Sequence, residues 1–300
     1  MSSFSFNFSP DGDDINNDNN DESSNQITDV LEDLKGKLIN ITNDDLLNKT
    51  NEGYIANVEV QINNISFKLV QPSDTSIDGG KDIIPGSYEG GFKLWECSLD
   101  LVEYLLKNSN DYLSASALSF SSYHVLDLGC GHGIPGICAA NILNIHETSS
   151  NNHYNHDNNL GGSISFLDLN EEVLRQVTWP NIVLNCSSYN NKYEFKCIAG
   201  DFRHLISNST FKYDLILTAE TLYTLKHCLW VVSILDLCLT SNGKAIIATK
   251  RYYFGCGGGT LEFMELISKK YFQSLQAEIK NTAEDGASNI RDVILVTRPS

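Results

Sequence analysis

The chain has 300 residues, 41% hydrophobic and 10% aromatic, enough to close a sizeable core in one large domain or two small ones. Its 38 Asp and Glu against 21 Lys and Arg leave a formal net charge of −17. That balance argues against direct nucleic-acid binding, which needs Lys and Arg to displace counterions from phosphates. The longest apolar stretch, Leu229 to Leu239, is broken by Ser233 and Asp236 and falls short of the roughly 20 residues of a membrane span.

Acid is concentrated at the N-terminal end. Residues 1–50 hold eleven Asp and Glu against Lys35, Lys37 and Lys49, and residues 1–26 are mostly Asn, Asp and Ser. Such a composition cannot bury a core and predicts a largely disordered acidic tail over 1–50. The start, Met1 to Phe8, has no basic region and no apolar run, so no signal peptide is expected. Apolar residues at 27, 30, 31, 34, 38 and 41 have helical spacing within Ile27–Leu47, weakened by Gly36. Tyr54–Val70 alternates apolar and polar residues around Asn63-Asn64, which predicts a β-hairpin. Eight cysteines without regular spacing read as reduced, mostly buried thiols of a cytoplasmic or nuclear protein.

From about residue 95 helix and strand patterns alternate. Helices are expected over Leu99–Leu106, Pro135–Leu143, Glu171–Asn185 with Pro180 inside it, Leu225–Leu239 and Thr260–Tyr271. Strands are expected over His124–Leu128, Ser163–Leu167, Phe195–Ile198, Tyr213–Leu217, Lys244–Thr249, Phe272–Ile279 and Val293–Thr297. Between them, Asn144–Gly162 is rich in Asn, His and Ser and reads as a surface insert. Its histidines have no acid or cysteine at ligand spacing, so no metal site is expected. The βαβα order implies an α/β fold with a doubly wound, mostly parallel sheet.

The strongest local signal is Val125-Leu-Asp127-Leu-Gly129-Cys-Gly131-His-Gly133-Ile-Pro135-Gly136. An apolar strand enters an acid, then glycines that let the backbone turn and approach a ligand, then a helix N-terminus. The glycines also satisfy the dinucleotide fingerprint and so leave the cofactor open. Asp127 helps to decide, because its carboxylate would repel a pyrophosphate and attract a cation. S-adenosylmethionine, with its ammonium and sulfonium, suits it better than a nicotinamide dinucleotide. Asp168 ends the next strand and is placed to accept both ribose hydroxyls, with Asn170 as a helix cap.

Five blocks then resemble the histidine protein methyltransferases, in order, over roughly 82 to 298. They are Pro85-Gly-Ser-Tyr-Glu89-Gly-Gly-Phe-Lys93-Leu-Trp95-Glu96-Cys97; Asp168-Leu-Asn170; Thr178-Trp-Pro180-Asn181-Ile-Val-Leu-Asn185; Tyr213 to Glu220-Thr-Leu-Tyr223; and Tyr253-Phe254-Gly255-Cys-Gly257-Gly258-Gly259. The resemblance implies a seven-stranded, Rossmann-like methyltransferase domain over 51–300 with an N-terminal hairpin annex. It implies S-adenosylmethionine as cofactor, S-adenosylhomocysteine as product, and a histidine of a large-subunit ribosomal protein as acceptor. A basic protein partner and a monomeric, membrane-free enzyme are the matching expectations. The same fold also serves lysine methyltransferases and catalytically inactive binding modules, and these stay open as alternatives.

By position, the resemblance puts Lys93, Trp95, Glu96, Asp127, Gly129, Gly131, Asp168, Asn170 and Asn181 at the cofactor, with Gly200, Asp201 and Phe202 around the adenine and Ala219 nearby. Glu89, Gly90, Phe254, Gly255, Gly257 and Gly258 fall to the substrate. Glu220 and Tyr223 form the candidate catalytic pair. Neutral imidazole already has a lone pair, with a reference pKa of about 6.5. It therefore needs an acceptor for its other N–H more than it needs a strong base. Glu220 or a carbonyl of the Gly255–Gly259 loop can be that acceptor. Glu89, Glu96 and Glu220 are also expected to make the mouth acidic and steer a basic substrate.

Overall fold

Apolar strands without polar alternation have to be covered on both faces, and that requirement organises the molecule. The computed structural model describes residues 34, 36–42, 56–70, 72, 90–113, 123–149, 162–187, 193–207, 210–268, 274–284 and 289–299. In chain order these form β1 (Ile39–Ile41), a hairpin of β2 (Val58–Ile62) and β3 (Ile65–Leu69), α1 (Glu96–Lys107), α2 (Ser109–Tyr112), β4 (His124–Leu128), α3 (Ile134–Ser149) and β5 (Gly162–Asp168). A composite helix α4 follows, with α-helical ends Glu171–Val173 and Trp179–Cys186 around a wide π turn, Leu174–Thr178. Then come β6 (Tyr193–Ala199), α5 (His204–Ser207), β7 (Tyr213–Ala219), α6 (Leu225–Cys238), β8 (Leu239–Lys250), α7 (Thr260–Ser268), β9 (Gln276–Glu284) and β10 (Ile290–Thr297).

The sheet order is β1-β6-β5-β4-β7-β8-β10-β9. The strands from β6 to β8 run parallel, while β1, β9 and β10 add antiparallel edges. Along β4, Val125 packs into one core with α1, α3, α4 and the hairpin, while Leu126 and Leu128 pack into the other with α5, α6 and α7. Order reverses at β4, whose neighbours are β5 and β7. A crevice is expected outside the carboxyl ends of the strands at such a switch point.

Seven of the eight strands match the expected sheet, and the eighth is β1. The helical spacing over Ile27–Leu47 gives way there to a short strand, because Ile39–Ile41 pairs with Cys197–Ala199 along the open edge of β6. A free row of strand donors and acceptors outweighs the local periodicity of a stretch containing Gly36. The sheet therefore begins before residue 51, inside the expected tail; residues 1–33 and 43–55 lie outside the described part. Helix α3 runs six residues into the expected insert, to Ser149, and residues 150–161 are outside the description.

The hairpin packs against the main sheet's helical layer. Ile62 and Ile65 flank the two-residue turn, whose Asn63 takes φ +54°, and Phe67 and Leu69 are fully buried in the core shared with Leu101 and Leu105. Helix α4 fastens the edge of β3. Asn185 accepts the Lys68 N–H (3.0 Å) and donates to the Lys68 carbonyl (2.7 Å), while Asn181 accepts the Val70 N–H (2.7 Å). The π turn immediately precedes Pro180, which has no N–H to give the turn behind it. Asn181 is fully buried and also donates to the His132 carbonyl, at 3.0 Å. Asn181→Ala removes the partner of one buried and one half-buried backbone group and is expected to cost about 2–3 kcal/mol. Urea denaturation checks this; a loss below about 0.5 kcal/mol would show that water replaces the amide.

Candidate active site

The glycine loop after β4 leaves no room for side chains. Gly129 sits at φ +67°, and a Cβ there would lie 2.7 Å from Thr221 Cγ2. Gly131, at φ +49°, presses on the Gly91 carbonyl, 3.3 Å from where its Cβ would be. Four side chains hold this segment. Asp168 Oδ2 accepts the Gly131 N–H (2.9 Å) and Asp127 Oδ2 accepts the Gly136 N–H (2.9 Å). The Thr178 hydroxyl donates to the Gly131 carbonyl (2.6 Å) and Asn181 to that of His132. The π turn of α4 is what delivers Thr178 to the loop.

A cleft opens above the loop at the switch point. Of the residues expected there, Lys93, Trp95, Asp127, Gly129, Gly131, Asp168, Phe202 and Ala219 line it, as do Gly90, Glu220 and Tyr223. Others are elsewhere. Glu96 is exposed on the first turn of α1, outside the lining, because the chain enters the cleft with Lys93, Leu94, Trp95 and Ser98 instead. Asn181 lies behind the loop with its amide already taken up. Gly200, at φ +133°, is glycine because the Lys37 carbonyl approaches to 3.0 Å from where a Cβ would sit. Asp201 is committed to Arg203, whose Nε and Nη2 donate to Oδ2 at 2.9 and 2.6 Å, and of this segment only Phe202 reaches the lining. Asn170 is next to the lining rather than in it, its N–H held by Asp168 Oδ1 (3.0 Å). Phe254, Gly255, Gly257 and Gly258 form a rim outside the lining, and Glu89 falls outside the described residues.

Glu220 is the most constrained of the set. It closes β7 with φ +58°, a left-handed conformation that costs a non-glycine residue on the order of 1 kcal/mol and marks functional positions more often than chance. Its N–H bonds the Ala248 carbonyl (3.0 Å). Oε2 accepts from the Tyr253 hydroxyl (2.5 Å) and Oε1 has Lys250 Nζ 3.9 Å away. This side chain is 8% exposed and has the Lys250 ammonium as its nearest counter-charge. Tyr253, Lys250 and Cys256 also line the cleft; Tyr253 and Cys256 fall in the last of the five blocks, whereas Lys250 lies in none. Lys250 ends β8, and the carboxyl ends of parallel strands are where a crevice is lined; that signal was available. Lys93 Nζ lies 4.4 Å and Lys250 Nζ 5.6 Å from the Trp95 ring. Tyr223 hydrogen-bonds His227 Nε2 (2.7 Å), and Thr224 holds His227 Nδ1 (2.7 Å).

Burial sets the charge states. It pushes Asp127 up to about 8, against the opposing bond from Gly136 and with help from nearby Asp168. It pulls His132 down to about 4. The Tyr253 hydroxyl and Cys97 thiol are both raised, by burial first and then by the Glu220 charge. Folding thus takes up a proton at Asp127 between about pH 4 and 8 and releases one from His132 between about pH 4 and 6.5. The two effects on stability oppose each other below pH 6.5, and Asp127 prevails above it. With the unfolded His132 still losing its last protons just above pH 6.5, stability should therefore fall by somewhat under about 1 kcal/mol between pH 6.5 and 7.5. Asp127→Asn, which keeps an acceptor for Gly136, should flatten that slope. Denaturation midpoints of both proteins at the two pH values check it; parallel slopes would contradict it.

A family model described as lysine methyltransferase matches residues 86–277. The histidine protein methyltransferase 1 homolog of Dictyostelium discoideum is 38% identical over 219 residues, 72% of this chain and 60% of that one. The Rattus norvegicus homolog of the same name is 32% identical over 240 residues, 70% of this chain and 59% of that one. Histidine protein methyltransferase 1 of Schizosaccharomyces pombe is 29% identical over 228 residues, covering 64% and 61%. The chain spans about 60% of the length of these curated relatives. With the family model covering most of the glycine-loop sheet and the whole of the cleft's described lining, the chain belongs to the family described as lysine methyltransferase.

Proposed function

We propose that the protein is an S-adenosylmethionine-dependent protein-histidine N-methyltransferase acting on a basic protein, a large-subunit ribosomal protein. The residues fit that cofactor. The glycine cradle admits a ligand against the backbone, the Asp168 carboxylate at the end of β5 can accept from ligand hydroxyls, and Phe202 offers a flat apolar wall for a base. When bound, S-adenosylmethionine supplies a methyl group on a sulfonium and leaves as S-adenosylhomocysteine.

One observation carries the choice of histidine. Glu220 is held beside this cradle with one oxygen committed to Tyr253 and the other facing Lys250. A substrate lysine would bring a further ammonium to a wall that already holds Lys93 and Lys250. Neutral imidazole meets no such repulsion. Its N–H is accepted by Glu220, which turns the lone pair of the other nitrogen toward the methyl group. The Tyr253 hydroxyl fixes the carboxylate's rotation, and the carboxylate offsets the positive charge that the ring gains on methylation. The names of the relatives support the same acceptor. A lysine acceptor is the second reading, supported by the family description and by the acid-x-x-Tyr spacing of Glu220 and Tyr223. The net charge of −17 favours encounter with a basic partner.

Glu220→Gln keeps the shape of the side chain and presents an amide donor where the acceptor stands. Turnover on ribosomal protein should fall about tenfold to a hundredfold, while calorimetric affinity for S-adenosylhomocysteine stays within about twofold. Wild-type turnover in this variant would remove Glu220 from the mechanism. Tighter binding of NAD than of S-adenosylhomocysteine would overturn the cofactor.

A further inference from the structure

The loop joining β8 to α7 sends alternate side chains in opposite directions. Tyr253 and Cys256 line the cleft, whereas Tyr252 and Phe254 stand outward, 44% and 80% exposed, with ring centroids 6.4 Å apart. The loop is pinned rather than loose. The Cys256 and Gly257 N–H groups both bond the Tyr253 carbonyl (3.0 and 3.2 Å), and the Tyr253 N–H bonds the Gly258 carbonyl (3.2 Å). Gly257 bridges to Thr224, which sets Leu225, 55% exposed, beside it. A fixed loop thus holds two aromatic rings out to solvent at the cleft mouth, and Leu225, the first residue of α6, is exposed next to the residue that bridges to that loop. An exposed apolar patch of this kind, continuous with a functional cleft, marks an interaction surface.

We infer that Tyr252, Phe254 and Leu225 dock the substrate segment flanking the target histidine, selecting a large apolar side chain one or two positions from it. The inference rests on the reading of the cleft as a protein-modifying site. Its occupant follows from continuity. Tyr253 belongs to the cleft wall, and its chain neighbours on the rim are 3.8 Å away from Cα to Cα. A substrate backbone that delivers a side chain past Tyr253 therefore crosses Tyr252 and Phe254 within one or two residues of the inserted group. None of the three rim side chains carries a charge, so their natural partner is apolar, while the basic character of the substrate acts at longer range.

The test uses the full chain and two synthetic peptide libraries, one with a central histidine and one with a central lysine, randomised at four positions on each side. Incorporation of labelled methyl should enrich Leu, Ile, Met or Phe at least threefold within two positions of the histidine. Phe254→Ser should raise KM for an apolar-flanked histidine peptide about tenfold and for its serine-flanked counterpart less than twofold, with affinity for S-adenosylhomocysteine unchanged. Labelling of lysine alone would defeat the histidine reading, and the same flanking preference in that library would then decide the docking surface. The inference is overturned by absence of an apolar preference in the labelled library, by an equal effect of Phe254→Ser on both peptides, or by labelling of neither library. Sedimentation showing that Phe254→Ser splits a dimer would also overturn it, by making a second copy the occupant.

Discussion

The glycine loop owes its shape to a short internal turn, Gly133 N–H to the Cys130 carbonyl at 2.7 Å, and to four side chains from outside it. Asp127 and Asp168 receive backbone N–H groups of Gly136 and Gly131, while Thr178 and Asn181 donate to the carbonyls of Gly131 and His132. These bonds satisfy a stretch of backbone that must stay bare to meet a ligand. They also tie three parts of the chain to one point, since Asp168 ends β5, Thr178 and Asn181 ride on α4, and Asn181 accepts from the end of the hairpin as well. Asn181 thus joins the end of the hairpin directly to the glycine loop.

Against that fixed floor, the opposite wall is built from charges that nearly cancel. Glu220 lies in a left-handed backbone conformation with Tyr253 and Lys250 at its two oxygens, and Cys97 is buried beside it. Such an arrangement is costly to assemble and gains nothing for packing alone. In the proposed function its use is orientation: a carboxylate whose rotation is locked presents one acceptor in one direction, and on that reading the wall suits an imidazole better than a lysine side chain.

Local chemistry made much of this legible in the sequence. The β4 strand, the glycines and the helix start follow from neighbouring residues, and the Asn63-Asn64 turn with its flanking alternation is equally local. Long-range partners were not legible. The ion pair of Asp201 with Arg203 is local, two residues apart, but the Trp230 ring that holds the Arg203 guanidinium in place comes from α6, far along the chain. Gly200 looked like part of a ligand site, but the Lys37 carbonyl, far away along the chain, is what excludes a side chain there. Asn181 lies in a block shared with the family, and its backbone partners, Val70 and His132, are both distant in sequence. Lys250 and Tyr253 escaped because a lysine ending a strand and a tyrosine heading a glycine-rich loop have no meaning until β8 is placed beside β7.

The central claim is that a wall holding Lys93 and Lys250 around Trp95, with Glu220 locked by Tyr253, accepts a neutral ring and not an ammonium. The most direct measurement is amino-acid analysis of acid-hydrolysed protein after transfer of labelled methyl from S-adenosylmethionine by the full chain to a large-subunit ribosomal protein fraction. The account predicts label in methylhistidine and none in methyllysine; label confined to methyllysine would contradict it.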